Sequence, residues 1–262
     1  MIIKKFITTL LISFTLMSNV IADTDGENSL TKDGPKKVKD CFEGLNRATF
    51  SLNQGLDKVI FKPVAKGYRK LPSSVRTGTS NALINLSSLI TVPNNILQGE
   101  FKDAGVNTGR FIINTTVGIL GIFDVADKMG FSEYEKEDYG QTLGVWGVGT
   151  GCYLVLPVLG PSTIRDTAGS FANILGGDPY YNISAHGNNE YLDKSDYMLT
   201  KALTAVDFRA KNIETIENLE KNSLDFYASV KSLYLQDRQR KIANTNASIE
   251  IIYESDWEEI EN

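Results

Sequence analysis

The sequence predicts an all-α protein, a single bundle of amphipathic helices interrupted by one glycine-rich, irregular or hairpin segment. Three observations predict it. Apolar residues recur at three- and four-residue steps in several stretches, the period of an amphipathic helix. Thr77 to Gly99 carries no charged side chain but is interrupted at Pro93. Tyr139 to Ile164 is also uncharged, yet holds six glycines and two prolines. A membrane-spanning helix needs about 20 consecutive, mostly apolar residues, and glycine and proline at this density prevent one regular helix. Irregular backbone at membrane depth is tolerated only against protein or around a water-filled cavity. These stretches therefore point to a protein that sits in or beside lipid and encloses a passage.

Residues 1–22 read as a secretory signal. Lys4 and Lys5 form the positive end, Phe6 to Val20 the apolar core, and Val20-Ile21-Ala22 a small-residue cleavage site before Asp23. An uncleaved anchor is the alternative. Loss of the two lysines takes the formal net charge of the 262-residue chain from −5 to −7. An acidic, exported chain without a basic cluster argues against nucleic acid as a partner, and against holding anionic lipid by surface charge alone. Residues 23–39 read as a flexible leader, 40–240 as the folded domain and 241–262 as an acidic tail.

From Cys41 the helical period begins. Phe42, Leu45, Ala48, Leu52, Leu56 and Val59 form a stripe suited to a core or to a leaflet interface, and Pro63 ends or kinks that helix. A second helix covers Asn81 to Ile90, with Pro93-Asn94-Asn95 as a turn, and the whole uncharged 77–99 stretch is expected to be partly embedded. A third runs from Lys102 to about Thr116, although its β-branched residues also fit a strand. Gly118 to Gly121 opens a short apolar loop. Cys152 to Leu156 is the best strand or hairpin candidate. After Asp178-Pro179 a polar loop carries His186. Leu199, Leu203, Val206, Ala210, Ile213 and Ile216 then mark a helix expected to pack in the core. Asn222-Ser223 interrupts, Ser223 caps, and Leu224, Tyr227, Val230 and Tyr234 continue with helical spacing.

Much chemistry is excluded. His186 is the single histidine, so a multi-histidine metal site is ruled out and a catalytic triad would depend on that one residue. There is no G-x-S-x-G elbow, no H-E-x-x-H and no phosphate loop. Gly147-Val148-Gly149-Thr150-Gly151 lacks the spacing and the βαβ frame of a dinucleotide fingerprint. No cofactor is called for. Glu135, Glu137 and Asp138 cluster, and a secreted two-carboxylate hydrolase of the cell envelope is the rival reading; a purely structural envelope protein is a third. Cys41 and Cys152, the only cysteines, either pair in an oxidising compartment or remain buried thiols.

The order of motifs from Cys41 to about Gln239 resembles the MlaA (VacJ) family. Phe42-Glu43-Gly44-Leu45-Asn46-Arg47, Phe50, Asn53, Pro63 and Tyr68 come first. Asn81, Pro93-Asn94, Leu97-Gln98-Gly99, Arg110-Phe111, Asn114-Thr115, Gly118, Gly121 and Phe123-Asp124-Val125-Ala126 follow in the family's order. The most specific block is Asp138-Tyr139-Gly140-Gln141-Thr142-Leu143-Gly144-Val145-Trp146-Gly147-Val148-Gly149, with Tyr153-Leu154-Val155-Leu156-Pro157, Gly160-Pro161-Ser162 and Arg165-Asp166 after it. Asp207-Phe208-Arg209-Ala210 and Ser223-Leu224-Asp225-Phe226-Tyr227 complete the match.

The resemblance implies a ring-shaped helical protein in the periplasmic leaflet of the outer membrane, exported by its signal peptide. It implies an amphipathic channel through which mislocalised phospholipids leave the outer leaflet. The expected partners are phospholipid, a soluble periplasmic carrier of the MlaC type and a trimeric porin, and no bond is made or broken. Family members are commonly acylated at a cysteine at the cleavage site, where this chain has Asp23, so retention without a lipid-anchor cysteine is expected. Cys41 and Cys152 stand where the family often has proline, which is consistent with a disulfide. The expected channel wall is Val145, Trp146, Val148, Tyr153 and Leu154 for acyl chains, with Gln141, Thr142 and Thr150 for polar contact, and Gly144, Gly147 and Gly149 for close backbone approach. Phe111, Ile112, Ile113 and Leu120 are expected in a lipid-facing belt.

Overall fold

The computed structural model describes residues 38–243 apart from 133 and 187–191. The expected signal segment, nearly all of the expected leader, and residues 244–262 of the acidic tail lie outside the described residues. Eleven α-helices and one hairpin make up the described chain, which is all-α in class as the periodicity predicts. They are α1 (Glu43–Leu56), α2 (Lys62–Tyr68), α3 (Ser73–Gln98), α4 (Phe101–Thr116), α5 (Val125–Lys128), α6 (Tyr139–Val145), α7 (Ile164–Ala172), α8 (Pro179–His186), α9 (Lys194–Lys211), α10 (Ile213–Asn222) and α11 (Phe226–Ile242). Strands β1 (Tyr153–Leu156) and β2 (Gly160–Thr163) pair antiparallel, Tyr153 opposite Thr163.

Proline behaves differently at Pro63 and Pro93. A π-helical turn, Asp57–Phe61, precedes Pro63 and lets the chain pass from α1 into α2 without a break. That turn is the kink the sequence allows. At Pro93 the expected turn is replaced by helix: α3 runs through it to Gln98. Proline removes one N–H from the ladder, but buried polar contacts fix the helical course on either side. Asn94 donates to the Ile90 carbonyl at 2.8 Å and accepts from Thr142 Oγ1 at 2.6 Å. Asn107 of α4 donates to Asn95 at 2.9 Å. The helix ends instead at Gly99, in the left-handed region at φ 83°, where Gly99 N–H donates to Ile96 and Glu100 N–H to Asn95, a Schellman closure.

Three further expectations are corrected. The polar loop after Asp178 is helix α8, because the Asp178 carboxylate accepts from the Tyr180 and Tyr181 amides at 3.0 and 3.3 Å and caps a helix with Pro179 in its first turn. His186 is the last residue of that helix. The long 199–216 helix breaks at Asn212, and only Ala210 and Ile213 of its stripe are buried, against Ala65, while Leu199 is exposed. The cap of α11 is Asp225, accepting from the Ala228 amide at 3.1 Å, whereas Ser223 bonds back to the Leu219 carbonyl.

The polarity of the interior is reversed. Among the described residues nine hydrophobic residues are buried, against twenty-two polar or charged ones. The uncharged 77–99 stretch lies in α3, whose polar face is the interior hub, burying Ser80, Asn85, Ser88, Thr91, Asn94 and Asn95, while Ile84, Ile96 and Leu97 of the same helix are exposed. The α1 stripe faces outward instead, with Phe42, Leu45, Leu52 and Val59 exposed while Asn46 is buried. No helix among the described residues is long and apolar enough to cross a membrane.

Candidate functional site

Four groups of side chains tie the helices to one another and shape the site. Arg238 of α11 donates to Asp138 at 2.7 and 2.9 Å, to Asp166 at 2.8 Å and to Gln141 at 2.7 Å. Burial alone would raise the pKa of Asp138 and Asp166, but the bonds to and charge of Arg238 outweigh it and hold both below the usual carboxylate range. Gly140 and Gly169 bring α6 and α7 into backbone contact: a Cβ on Gly169 would lie 2.3 Å from the Gly140 nitrogen. Beside this cluster the buried Glu137 accepts from Gln98 at 2.8 Å and from Gln141. Burial pushes its carboxyl up to about 7 against the opposing pull of those bonds.

The second group secures the expected belt. Arg110 donates to Asp124 at 2.6 Å and Asn114 to Asp124 at 3.0 Å, while the Ala126 amide donates to Asn114 at 2.9 Å. Above this base, residues 117–123 form an apolar knuckle. Ile119 and Leu120 take left-handed backbone at φ 53° and 56°, followed by Gly121 at 89°. Gly118 is required, since a Cβ there would lie 2.2 Å from the Phe123 carbonyl oxygen. Val117, Ile119, Leu120, Ile122 and Phe123 are all exposed, Leu120 at 72%. Of the expected belt, Ile112 and Leu120 are exposed and Phe111 and Ile113 are half-buried.

The third group closes the amino-terminal end. Cys41 and Cys152 form a disulfide with a Cα–Cα distance of 5.6 Å. Asp40 accepts from Tyr227 and from Lys231 at 3.0 Å, and Asn46 donates to the Tyr153 carbonyl at 3.0 Å. Phe50, Tyr153, Tyr227 and Tyr234 stack edge to face around them, at centroid distances of 5.5 to 6.3 Å. Two exposed apolar tips stand out from this end, Trp146 with Val148 before the hairpin and Val158 with Leu159 at its turn.

The fourth group encloses space. A half-open cavity of about 360 Å³ lies between α3, the irregular segment 134–136, α8 and α9. Leu83, Ile84, Leu86 and Ile90 of α3 and Phe208 of α9 give it an apolar side. Tyr134, Lys136, Asp178, Tyr180, Thr200 and Lys201 give it a polar, hydroxyl-rich side, with Ser80, Asp207 and Lys211 at one end. Lys136 keeps much of its surface exposed, while crowding by the cavity wall, and next the neighbouring Lys201 ammonium, lower its pKa. This is a mixed wall of the kind expected for a lipid, built from other residues than those expected. Gln141 and Thr142 lie in the polar network around Glu137 and Asn94; Gly144 packs on Ile242 and Arg165; Tyr153 is in the aromatic cluster; Val145 is exposed at the end of α6, Trp146, Gly147, Val148 and Gly149 belong to the exposed loop after it, and Leu154 is half-buried on β1. One signal in the sequence marks the cavity, the lone base Lys136 inside the run Glu135-Lys136-Glu137-Asp138.

Such a molecule is a helical protein that turns apolar side chains outward and polar ones inward around an amphipathic cavity. The family model described as MlaA lipoprotein matches residues 38–241, and the chain belongs to that family. It is 33% identical over 209 residues to the intermembrane phospholipid transport system lipoprotein MlaA of Escherichia coli (strain K12), covering 78% of each chain. It is 28% identical over 231 residues to the protein of the same name from Haemophilus influenzae, covering 87% of this chain and 89% of that one. A Rickettsia bellii protein is 34% identical over 212 residues, covering 80% and 79%. A solved structure described as the structural basis for maintenance of bacterial outer membrane lipid asymmetry aligns with a TM-score of 0.68 and 31% identity, over 78% of this chain and 99% of that one.

Proposed function

We propose that this chain is the outer-membrane component of an intermembrane phospholipid transport system that maintains outer-membrane lipid asymmetry. In this reading it is a non-enzymatic conduit. It takes mislocalised phospholipid from the outer leaflet and passes it to a periplasmic carrier of the MlaC type, beside a trimeric porin. The observation that carries the reading is the reversed polarity of the fold. An outward apolar surface as extensive as this one requires cover by lipid or protein, and the polar interior offers a headgroup a route that the bilayer core does not.

The physics asks for no catalytic group. Moving a phospholipid into water exposes two acyl chains at about 0.8 kcal/mol per CH₂, on the order of 25 kcal/mol in all, far too high for a useful spontaneous rate. An apolar wall for the chains beside a hydrated wall for the headgroup removes most of that cost. Leu83, Ile84 and Phe208 opposite Tyr180, Thr200 and Lys201 provide such a pair of walls. Two of the three carboxylates of the rival hydrolase reading are otherwise engaged: Asp138 is held by Arg238, and Glu137 by Gln98 and Gln141, while Glu135 is exposed.

Photocrosslinking from position 84 to labelled phospholipid in outer membranes tests the proposal. Lipid adducts at 84, and none at the exposed position 70, are expected. Adducts at neither position, in a protein that partitions with the membrane, would overturn it.

A further inference from the structure

The cavity is not evenly neutralised. Lys211 donates to Ser80 and lies 2.9 Å from Asp207, and Lys201 lies 3.4 Å from Asp178 and 4.9 Å from the centroid of the Tyr197 ring. Both acids also accept a tyrosine hydroxyl, from Tyr68 and Tyr197. Each of these lysines thus has its own counter-charge. Lys136 has no hydrogen-bond or ion-pair partner for its side chain among the described residues, so the wall as a whole carries one uncompensated cation, at that residue.

An ammonium held in a partly apolar concavity without a counter-ion attracts an anion more strongly than one on an open surface. The neighbouring groups suit a phosphate. The Tyr134 hydroxyl shares hydrogens with Ser87 and Thr91 at 2.9 and 2.7 Å, and Tyr180 with Thr200 at 3.2 Å, so hydroxyl donors stand on the same polar side. The facing Leu83, Ile84, Leu86 and Ile90 side chains of α3 are apolar. The volume lies in the range of a pocket for a drug-sized ligand, room for a headgroup and the first part of a chain rather than for a whole lipid.

Resting on the conduit reading above, we propose that Lys136 is a headgroup contact, an ammonium that takes the phosphodiester of a phospholipid bearing net negative charge while the α3 wall takes the start of an acyl chain. A zwitterionic headgroup brings its own cation to the phosphate and gains less. The passage therefore favours lipids of the phosphatidylglycerol kind over those of the phosphatidylcholine kind. This preference rests on one solvent-accessible residue of the cavity wall, in a chain whose net charge is negative.

Two measurements on the full-length protein in non-ionic detergent test this. In mixed micelles of phosphatidylglycerol or phosphatidylcholine with identical chains, the wild type should bind the first roughly tenfold more tightly, a charge-assisted contact of about 1.4 kcal/mol. Lys136→Gln should remove the preference, Lys136→Arg should restore most of it, and Lys70→Gln should leave it unchanged. Acetylation of the wild type, read by mass spectrometry, needs no variant to fold. Phosphatidylglycerol should protect Lys136 several-fold while phosphatidylcholine and inorganic phosphate do not. Equal acetylation of Lys136 in all arms, with lipid still bound, would overturn the inference and leave the conduit standing. Equal protection by inorganic phosphate would overturn the lipid assignment in favour of a soluble phosphate ester. Binding of neither lipid in any arm would overturn the conduit reading itself.

Discussion

Glu137 and Arg238 act on stability in opposite senses. Glu137 has a folded pKa of about 7 against an ordinary 4.5. The native protein therefore holds a proton that the unfolded chain has already released, and stability from this group is present at acid pH and declines as pH rises from about 4.5 to about 7. Glu137→Gln keeps an acceptor for Gln98 and Gln141 without the buried charge. It should raise stability at pH 8 by on the order of 2 kcal/mol and flatten the pH dependence of thermal unfolding between pH 5 and 7; an unchanged slope would refute the assignment. A hydrolase using this carboxylate would instead lose activity without any such gain. Asp138 and Asp166 have depressed folded values, so what they contribute is complete at neutral pH and is lost as pH falls through those values, below the usual carboxylate range. Arg238→Leu would leave both buried acids without their cation, a loss of about 3–5 kcal/mol, measurable as a fall in denaturation midpoint at pH 7 that shrinks in acid.

At the scale of elements, charge pattern and knuckle are the readable features. Glu214, Glu217 and Glu220 line one face of α10 and pair with Arg69, Lys62 at 2.9 Å and Lys58 at 3.0 Å along α2 and the π-helical turn before it. Such exposed pairs are worth little singly, yet in order they fix how α10 lies along its neighbours. The knuckle gives a cleaner test of membrane contact than Ile113, which is half-buried and would cost stability if exchanged for lysine. Leu120 projects freely from a left-handed position that asparagine adopts more readily than leucine. Leu120→Asn should therefore keep or slightly raise the unfolding temperature while reducing sedimentation with phospholipid vesicles. Loss of folding and of vesicle binding together would count against a lipid-facing role.

Across the whole molecule the disulfide is the longest-range covalent constraint, closing 111 residues between Cys41 and Cys152. Cross-links of this span stabilise by about 2–4 kcal/mol, chiefly by restricting the unfolded chain. Replacing both cysteines by serine should lower the melting temperature by on the order of 10 °C for a domain of this size, measured against the oxidised wild type in the same detergent. A shift under about 2 °C would show that the Asp40 and Asn46 bonds and the aromatic cluster already hold that end closed.

The helical period, the hairpin at Cys152–Leu156 and the family motifs were legible because each is local or ordered along the chain. The sequence by itself determined a helical class, an acidic chain, an apolar loop after α4 and the exclusion of a multi-histidine metal site. What it left open was direction. The α1 stripe of Phe42, Leu45 and Leu52 has the same period whether it faces a core or a bilayer, and only the packing of Asn46 against Tyr153 turns it outward. The uncharged 77–99 stretch looked like a membrane element, yet its polar face became the interior hub, because its asparagines and threonines found partners from residues 107 to 142. The cavity wall was legible least of all: Leu83, Lys136 and Phe208 are far apart in sequence, and only tertiary packing decides which side chains face a shared void. Periodicity records which residues share a face, while the partner of that face is set by long-range contacts that one-dimensional order does not contain.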